Sequence, residues 1–256
     1  MNNPRLILTA LANIPLVQRN DDLAMIILRG LDDARIELQD GDVLVLAQKI
    51  VSKSEGRMVR LRDVTPSPQA IELGKQSNKD PRFCEVVLWD TREILRVREG
   101  LIIVETKHGW VCANAGIDRS NVALHDENEW VLRLPEDADV SASCLRERLK
   151  TLTERDLGII INDSHGRAWR NGAIGVAIGI AGLPGVDDLR GQPDLFGYHL
   201  QVTFVGVADQ IPSAASLLQG QADEGRPIIH VRGVPLNRRA GSSREIVRPK
   251  EHDLFR

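Results

Sequence analysis

The densest group of reactive side chains in this sequence lies shortly after its midpoint. Residues 158–161 are apolar and largely β-branched, which favours a buried strand. Asn162, Asp163 and Ser164 follow at once. An acid beside a hydroxyl offers hard oxygen ligands of the kind that Mg²⁺ and Mn²⁺ bind. The alternative is structural, because Asp and Ser also form turns by bonding to their own backbone.

Two arginines come shortly after this group, at Arg167 and Arg170, with His165 and Gly166 in front of them. A guanidinium group can bind two phosphate oxygens at once in a planar fork. The acid, the hydroxyl and the arginines together suggest a site that handles a nucleotide.

A second acid occurs in a similar setting earlier in the chain. Residues 109–113 are β-rich, Gly116 follows, and Asp118 comes next with Ser120 and Asn121 close behind. Two acids at strand ends could converge on one cation, whose charge would offset their mutual repulsion. Alternatively, Asp118 caps a helix or a turn.

Two further segments are candidates for contacts with phosphate. The apolar residues 43–47 lead directly into Gln48, Lys49 and Lys53, and a polar loop covers residues 219–226. Ammonium groups and backbone N–H groups both bind phosphate. The alternatives are an ordinary solvated surface for the lysines and a plain surface connector for the loop.

The elements that would hold these residues form a mixed pattern. Apolar runs predict strands at residues 6–11, 43–47, 101–106, 109–113, 130–134, 158–161, 200–207 and 228–231. Helical spacing predicts helices after Asp21 or Asp22, at 66–78 and 84–96, from Asp139 or Ser141 through Leu152, and at 209–218. Glycines between 172 and 185 predict a strand that another backbone approaches closely. The last 20 or so residues predict a mobile tail with a short ordered turn.

Length and composition limit the class of protein. The chain has 256 residues, enough for one large domain or two smaller lobes. Its formal charge is −3 and aromatic residues make up 4% of it, so neither a basic nucleic-acid surface nor a base-stacking surface is expected. No apolar run approaches the roughly 20 residues that span a bilayer.

Cysteine usage and known motifs narrow the class further. Cys84, Cys112 and Cys144 are odd in number and far apart, which argues against a disulfide framework or a CxxC zinc site. The first residues lack the charged leader and cleavage pattern of an export signal. No P-loop, GxSxG or HExxH motif occurs. A soluble, cytoplasmic protein without membrane or nucleic-acid partners is therefore predicted.

Five short segments carry most of the polar residues named so far. They are Ile14-Pro15-Leu16-Val17; Ala47-Gln48-Lys49-Ile50-Val51-Ser52-Lys53 with Glu55-Gly56-Arg57; Asn114-Ala115-Gly116-Ile117-Asp118 with Ser120-Asn121; Asn162-Asp163-Ser164-His165-Gly166-Arg167; and Gly220-Gln221-Ala222-Asp223-Glu224-Gly225. Each alone is a weak signal. In this order they resemble the coenzyme F420:L-glutamate ligase family, whose members add glutamate to a deazaflavin cofactor precursor. The resemblance extends from Asn13 to about Gly233.

For the fold, the resemblance implies a mixed α+β, two-lobed architecture of the F420 γ-glutamyl ligase type. It implies an intertwined homodimer, with the nucleotide groove near the interface. A single ligase domain over residues 1–256, in one or two lobes, is expected. Some relatives also carry a flavin-dependent reductase domain at the C-terminus. This chain ends before such a domain could begin, so ligation alone is expected.

For the chemistry, the resemblance implies a GTP-dependent ligase that adds L-glutamate to coenzyme F420-0 through an acyl-phosphate intermediate. Two divalent cations, Mg²⁺ or Mn²⁺, are implied, and a monovalent cation such as K⁺ is allowed for. Asp118 and Asp163 would bind one divalent cation, and Ser164 and Gln221 the other. The glutamine is a weaker ligand than a carboxylate.

The remaining site residues are also carried over from the resemblance. Asp118, Asp163 and Lys53 are the implied catalytic residues, with Arg167 as a further source of positive charge. The residues implied around GTP are Ile14, Pro15, Leu16, Val17, Gln48, Lys49, Lys53, Asn121, Gln219, Gly220, Gln221, Ala222, Asp223, Glu224, Gly225 and Arg226.

Two other functions stay open from the sequence. One is a homologue that binds a nucleotide or cofactor and has lost catalysis, although the acids at 118 and 163 speak against it. The other is a metal-dependent phosphohydrolase, which would act on phosphate esters without glutamate.

Overall fold

The computed structural model describes residues 3–122, 129–235 and 239–254. The helices are α1 (Leu23–Asp33), α2 (Gln48–Ser54), α3 (Pro68–Ser77), α4 (Pro81–Asp90), α5 (Ala138–Thr153) and α6 (Val207–Gln219). The strands are β1 (Ile7–Ala10), β2 (Val43–Ala47), β3 (Met58–Arg60), β4 (Thr91–Arg98), β5 (Leu101–Thr106), β6 (Val111–Ala113), β7 (Trp130–Leu132), β8 (Gly158–Arg167), β9 (Arg170–Ala181), β10 (Asp187–Asp188), β11 (Phe204–Val205) and β12 (Ile228–Arg232). The fold is therefore mixed, with several sheets.

A five-stranded sheet forms the centre of the fold, in the order β1-β12-β2-β8-β9. Only the β2–β8 pair is parallel. Successive side chains of a strand point to opposite faces. Leu44 and Leu46 therefore pack with α1 and α5, and Val45 packs on the other face with α6. Both faces are covered, which explains the continuous apolar runs at 43–46 and 158–161.

The glycines of β9 lie where helices press on the sheet. A Cβ atom at Gly179 would lie 2.3 Å from the backbone of Ala138 at the start of α5. A Cβ at Gly175 would lie 2.5 Å from the carbonyl oxygen of Pro212 in α6. The predicted close approach of another backbone to this strand is confirmed.

A separate core lies under α3 and α4. Phe83 and Val86 of α4 pack against Ile102 and Val104 of β5, and Ile117 joins the same cluster. β4, β5 and β6 form an antiparallel sheet. Its β5–β6 turn contains Gly109 at φ +92°, so the hairpin predicted at 101–113 is confirmed.

The strand that begins at Gly158 does not stop at residue 161, and the prediction that it does is wrong. β8 continues through Asp163 and Ser164 to Arg167. Asp163 pairs with Val176 and Ser164 with Gly175 of β9. The turn preference of these side chains does not decide the conformation, because β9 supplies the backbone hydrogen bonds of a strand. The chain reverses direction only after Arg167.

The helix predicted at 84–96 is displaced. Asp80 caps α4, whose last residue is Asp90, and residues 91–98 form β4. Thr91, Ile94 and Val97 are β-branched and find a partner in β5. Tertiary pairing therefore wins over the helical spacing of the apolar residues.

Three further predictions about elements are corrected. The predicted strand 200–207 is reduced to Phe204 and Val205, and α6 already begins at Val207. Asp137, and neither Asp139 nor Ser141, caps α5. The C-terminal tail is held in place, since buried Ser243 donates its hydroxyl to Asp139 at 2.9 Å.

The loop predicted between residues 122 and 138 contains β7, as its short extended piece suggested, and residues 123–128 of it lie outside the described residues. Within the described ranges, no helix is both long enough and apolar enough to cross a membrane.

Candidate active site

Asp118 follows a tight turn that the sheet core holds in place. Asn114, Ala115 and Gly116 all have positive φ, at 51°, 55° and 71°. Such a run is costly for residues other than glycine and is found where surrounding structure enforces it. Backbone hydrogen bonds of 3.0 Å and 2.9 Å then join Asp118 to Leu132 of β7. The aspartate is thus fixed between two elements.

The parallel β2–β8 pair brings the start of α2 alongside the polar residues that begin at Asn162. Ala47, the last residue of β2, pairs with Asn162 of β8. The next residues along the two strands are Gln48 and Asp163. Because β2 runs into α2 without a loop, the first turn of α2 lies beside the polar part of β8.

Gln48 connects α2 to Asp118. The side chain is 1% exposed and donates from Nε2 to Oδ2 of Asp118 at 2.7 Å. Its own Oε1 accepts a hydrogen bond of 2.9 Å from the hydroxyl of Ser52. This chain of hydrogen bonds fixes the amide, so Gln48 holds the carboxylate through one oxygen.

Two lysines of α2 face the same segment. Lys49 Nζ lies 3.5 Å from Oδ2 of Asp118 and donates to Ser120 Oγ at 3.0 Å. Lys53 Nζ donates to the carbonyl oxygen of Asn121 at 2.7 Å. Burial, together with the nearby charge of Lys49, lowers the pKa of Lys53. Both ammonium groups therefore contact the segment 118–121, Lys49 at Asp118 and Ser120 and Lys53 at Asn121.

Asp163 is paired with His165. The two lie on the same face of β8, two residues apart, and their side chains are 11% and 14% exposed. His165 Nε2 lies 2.9 Å from Oδ2 of Asp163. Burial disfavours the imidazolium, but the hydrogen bond to Asp163 and the charges of Asp163, Asp209 and Asp118 outweigh it and raise the pKa of His165.

The two carboxylates lie within electrostatic reach of each other. Burial, reinforced by the charge of Asp163, raises the pKa of Asp118 from 3.8 to about 6. Burial and the charge of Asp163 also raise the pKa of the Cys112 thiol to about 12, so this cysteine is no nucleophile. Two acids that share a poorly solvated region are an unfavourable arrangement without a compensating positive charge.

The loop after α6 closes one side of the site. Asn121 Nδ2 donates to the carbonyl oxygen of Ala222 at 2.8 Å. Gln219 is buried, and its Oε1 accepts from Asn162 Nδ2 at 2.6 Å. These contacts bring the segments around residues 121, 162 and 222 together, although they are far apart in the sequence.

Backbone N–H groups of this loop converge on the Glu224 carboxylate. Ala222 N donates to Oε2 of Glu224 at 2.8 Å. Backbone hydrogen bonds from Ala222, Glu224 and Gln221 lower the pKa of Glu224. The backbone of the loop thus binds an anionic group, and in this structure that group is the carboxylate of Glu224.

The other predicted site residues are more loosely arranged. Pro15 and Leu16 are exposed, while Val17 is buried, and the chain then reaches α2 through a 2.8 Å bond from Asn20 N to Ser54 O. Ser164, Gln221, Asp223 and Arg226 are exposed. In the described part of the chain, no hydrogen bond joins Ser164 to Gln221.

The residue types expected at the cation sites are oxygen donors of the kind that a hard divalent cation binds. Asp118 and Asp163 could offer carboxylates, and Ser164 and Gln221 could offer neutral oxygens, although Ser164 alternates with Asp163 to the other face of β8. Over residues 3–122, 129–235 and 239–254, no three His, Cys, Asp or Glu side chains form a complete protein cage. Mg²⁺ commonly binds in this way, through one or two carboxylates, with water and substrate phosphates as the other ligands.

The structure adds connections that the sequence does not indicate. From the sequence, His165 is only a member of its motif, and Gln48 is only a residue implied near the nucleotide. The alternation of a strand would have placed Asp163 and His165 on one face, but only with the strand extended past residue 161.

Comparisons with known proteins identify the family of the chain. The F420-0:Gamma-glutamyl ligase family model matches residues 12–233. The chain is 43% identical over 251 residues to the coenzyme F420:L-glutamate ligase of Methanothermobacter thermautotrophicus, covering 97% of this chain and 98% of that protein. It is 42% identical to the coenzyme F420:L-glutamate ligase of Methanocaldococcus jannaschii, covering 87% and 88% of the two chains.

A third relative extends the pattern. The coenzyme F420:L-glutamate ligase of Methanopyrus kandleri is 44% identical over 244 residues, which cover 94% of this chain and 93% of that protein. The residues matched by the family model include both acids, both lysines of α2 and the loop after α6. The chain belongs to the F420-0:Gamma-glutamyl ligase family.

Proposed function

We propose that this protein is a coenzyme F420:L-glutamate ligase that uses GTP to join L-glutamate to coenzyme F420-0. One observation carries the proposal: the part-buried carboxylate of Asp118 lies within electrostatic reach of Asp163 and 3.5 Å from the ammonium group of Lys49 in α2. Membership of the family and the names of the relatives support the substrates. The geometry supports phosphoryl transfer, which depends on charge neutralisation and alignment more than on a protein nucleophile.

The chemistry has two steps. A carboxylate oxygen of the precursor attacks the γ-phosphorus of GTP, the bond between that phosphorus and the bridging oxygen breaks, and GDP leaves. The amine of glutamate then attacks the acyl carbon, the bond to phosphate breaks, and an amide, inorganic phosphate and a proton result. An unactivated carboxylate is a poor acyl donor, so the phosphorylation makes the second step feasible.

The residues of the site would divide the work between phosphate and cation. Lys49 and Lys53 stand where they would meet phosphate oxygens, and the hydrogen bond from Asn121 to Ala222 holds the loop at 221–224 beside the same segment. Asp118 and Asp163 would hold one divalent cation, and Ser164 and Gln221 the second. Such cations, Mg²⁺ or Mn²⁺, would neutralise the phosphate charge when bound, and a monovalent cation such as K⁺ could assist.

We also propose that the protein forms a homodimer through an exposed arm, residues 189–203. Leu195 and Phe196 in this arm are 97% and 94% exposed. The arm is ordered internally, because Asp194 Oδ1 accepts from Phe196 N at 2.8 Å and from Tyr198 N at 2.9 Å. Rigid exposed apolar residues of this kind mark contact surfaces. The proposed partner is a second copy of the chain, in an intertwined homodimer of two-lobed protomers.

The site of action is proposed to be the cytoplasm, with ligation by a single domain over residues 1–256. Cys84, Cys112 and Cys144 are all free thiols, which suits a reducing compartment.

The deciding experiment is a complete reaction read by mass spectrometry. Purified protein, GTP, Mn²⁺, coenzyme F420-0 and L-glutamate are combined, and each component is omitted in turn. We expect the precursor to gain one glutamate residue with an equal amount of GDP, and only in the complete mixture.

Two outcomes would replace the proposal. Binding of GTP in calorimetry without any turnover would indicate a homologue that has lost catalysis. Phosphate release from phosphate esters, unaffected by glutamate and with no mass gain on the precursor, would indicate a phosphohydrolase.

A further inference from the structure

The hydrogen bonds that other described side chains make with the carboxylates of Asp118 and Asp163 share one feature. Gln48 donates to Oδ2 of Asp118 at 2.7 Å, and His165 Nε2 lies 2.9 Å from Oδ2 of Asp163. Among the described residues, neither Oδ1 atom has a side-chain hydrogen bond. Each carboxylate is thus engaged through one oxygen and presents the other.

His165 is the less expected of these two partners. A β-strand alternates its side chains, so Asp163 and His165 project from the same face of β8 while Ser164 points to the other. Their side chains are almost enclosed, at 11% and 14% exposure, so neither can turn freely into solvent. Nε2 carries a proton in the Nε2–H tautomer and in the imidazolium, and in both forms it donates to the carboxylate.

We propose that His165 is a positioning residue that fixes the orientation of the Asp163 carboxylate and aims its Oδ1 at a divalent cation. This inference rests on the cation site of the proposed function. Ligating carboxylates are commonly held by hydrogen bonds from a second layer of residues, and removal of such a partner costs about 10–100-fold in metal affinity or activity. The role follows from contacts within this chain alone.

The rigid imidazole ring also suits this role better than a flexible side chain with a similar donor. His165 reaches back along its own strand, across two residues, to the carboxylate. A rigid ring limits the number of rotamers available to the donor, so less conformational entropy is lost than with a flexible side chain. Glutamine can place an amide Nε2 at a similar distance from the backbone, with more freedom.

The test compares His165→Phe with His165→Gln. Phenylalanine keeps the ring volume and loses the donor, and glutamine keeps a donor. Binding of Mn²⁺ alone is measured by electron paramagnetic resonance, and thermal unfolding shows whether each variant is folded. His252→Phe, at an exposed position near the C-terminus, is the matched control.

We expect His165→Phe to bind Mn²⁺ about 10–100-fold more weakly than the unaltered protein. His165→Gln should recover most of the loss, and His252→Phe should show none. In the ligation assay, high Mn²⁺ should restore kcat to His165→Phe, because the defect lies in cation occupancy. A purely structural role would lower the folded fraction and leave the Mn²⁺ dependence of the folded molecules unchanged.

Unchanged Mn²⁺ affinity of folded His165→Phe would overturn the inference, and so would an unaltered protein that binds no Mn²⁺. An unaltered protein that binds Mn²⁺ but ligates nothing would contradict the proposed function only. The comparison of the two His165 variants would still decide the role of the histidine.

Discussion

At the scale of single residues, partial burial strengthens the electrostatic interaction between the two acids of the site. Asp118 and Asp163 would repel each other less in water than they do beside the core strands, where few solvent molecules screen their charges. Gln48 and Lys49 compensate Asp118, and His165 compensates Asp163. A bound cation would complete this compensation, which is why removal of one carboxylate should affect the cation more than the fold.

Replacement of Asp163 by Asn should abolish most activity and keep the protein folded. The amide matches the carboxylate in shape but carries no negative charge, so cation binding should weaken by at least about 100-fold. Ligation rates and Mn²⁺ binding measure the loss, and thermal unfolding verifies the fold. A variant with full activity and normal metal dependence would show that Asp163 is not a cation ligand.

Residue chemistry was partly predictable from the sequence. Asp118 and Asp163 stand out as acids after β-rich runs, and the resemblance assigns them one cation. The role of His165 depends on the extension of β8 past residue 161, which the turn-forming residues hide. The role of Gln48 was not predictable, because its hydrogen bond to Asp118 spans 70 positions and depends on how α2, β7 and β8 pack. Local patterns carry no information on such a contact.

At the scale of elements, the glycines of β9 lie at the points where helices contact the strand. α5 and α6 approach the strand at Gly179 and Gly175, respectively, on opposite faces of the central sheet. Asp139 in the first turn of α5 accepts a hydrogen bond from Ile180 N at 2.8 Å. Asp209 in the first turn of α6 accepts one from Ala177 N at 2.9 Å. The glycines thereby let each helix bond to the strand.

Replacement of Gly179 by Ala should destabilise the protein by about 1–3 kcal/mol or more, because the new methyl group would lie 2.3 Å from the backbone of Ala138. Urea unfolding measures the change. Gly166→Ala is the matched control, since a Cβ there would meet no atom within 4 Å. Equal stabilities of the two variants would mean that α5 shifts to accept the methyl group at little cost.

The C-terminal segment supplies a prediction about pH. The Arg239 guanidinium lowers the pKa of Glu245 from 4.5 to about 2, with help from the backbone N–H groups of Val186 and Gly185. A folded-state pKa below the unfolded value stabilises the protein fully above pH 4.5, and the contribution fades as the pH falls toward 2. Glu245→Gln should therefore be less stable than the unaltered protein at pH 6, and the difference should shrink at pH 3.

Urea midpoints at the two pH values measure this effect. Glu72→Gln, at a side chain that is 60% exposed, serves as the control and should follow the unaltered protein at both. A gap for Glu245→Gln that is the same at pH 6 and pH 3 would contradict the assignment.

Elements were predictable where the pattern was local. The buried runs of β2 and of the first half of β8 were identified, as were α1 and the β5–β6 hairpin. The second half of β8 was missed because Asp163, Ser164 and Gly166 favour turns, and only the distant strand β9 makes them extended. The helix predicted over β4 is wrong for the same reason, since its partner β5 decides its conformation.

At the scale of the whole molecule, the exposed arm is the feature least suited to a chain that stays alone. Tyr198 and Val202 add 61% and 83% exposed side chains to those of Leu195 and Phe196. Such surfaces are rarely left in water, and association with another copy would cover them. The mixed fold could be anticipated from the sequence, whereas the sheet order could not, because the β1–β12 pair joins the two ends of the chain.

The double variant Leu195→Asp, Phe196→Asp should shift the protein from dimer to monomer. Charges placed on an apolar contact lose their hydration when the contact forms, so association becomes unfavourable. Sedimentation velocity measures the molar mass. Ile71→Asp, at a 41% exposed position of α3, should leave the dimer intact. A monomeric unaltered protein, or a variant that still dimerises, would count against the arm as the interface.

The direct passage of β2 into α2 has a consequence for how the site can vary. Ala47 ends the strand and Gln48 begins the helix, so no flexible residue separates the core from Gln48, Lys49 and Lys53. One residue inserted at this junction would rotate the helix by about 100° and carry these side chains away from Asp118 and Asn121. The positions of these side chains therefore depend on the register of β2 in the central sheet. An insertion between β2 and α2 would disturb the site, whereas an insertion in a surface loop would not move these residues.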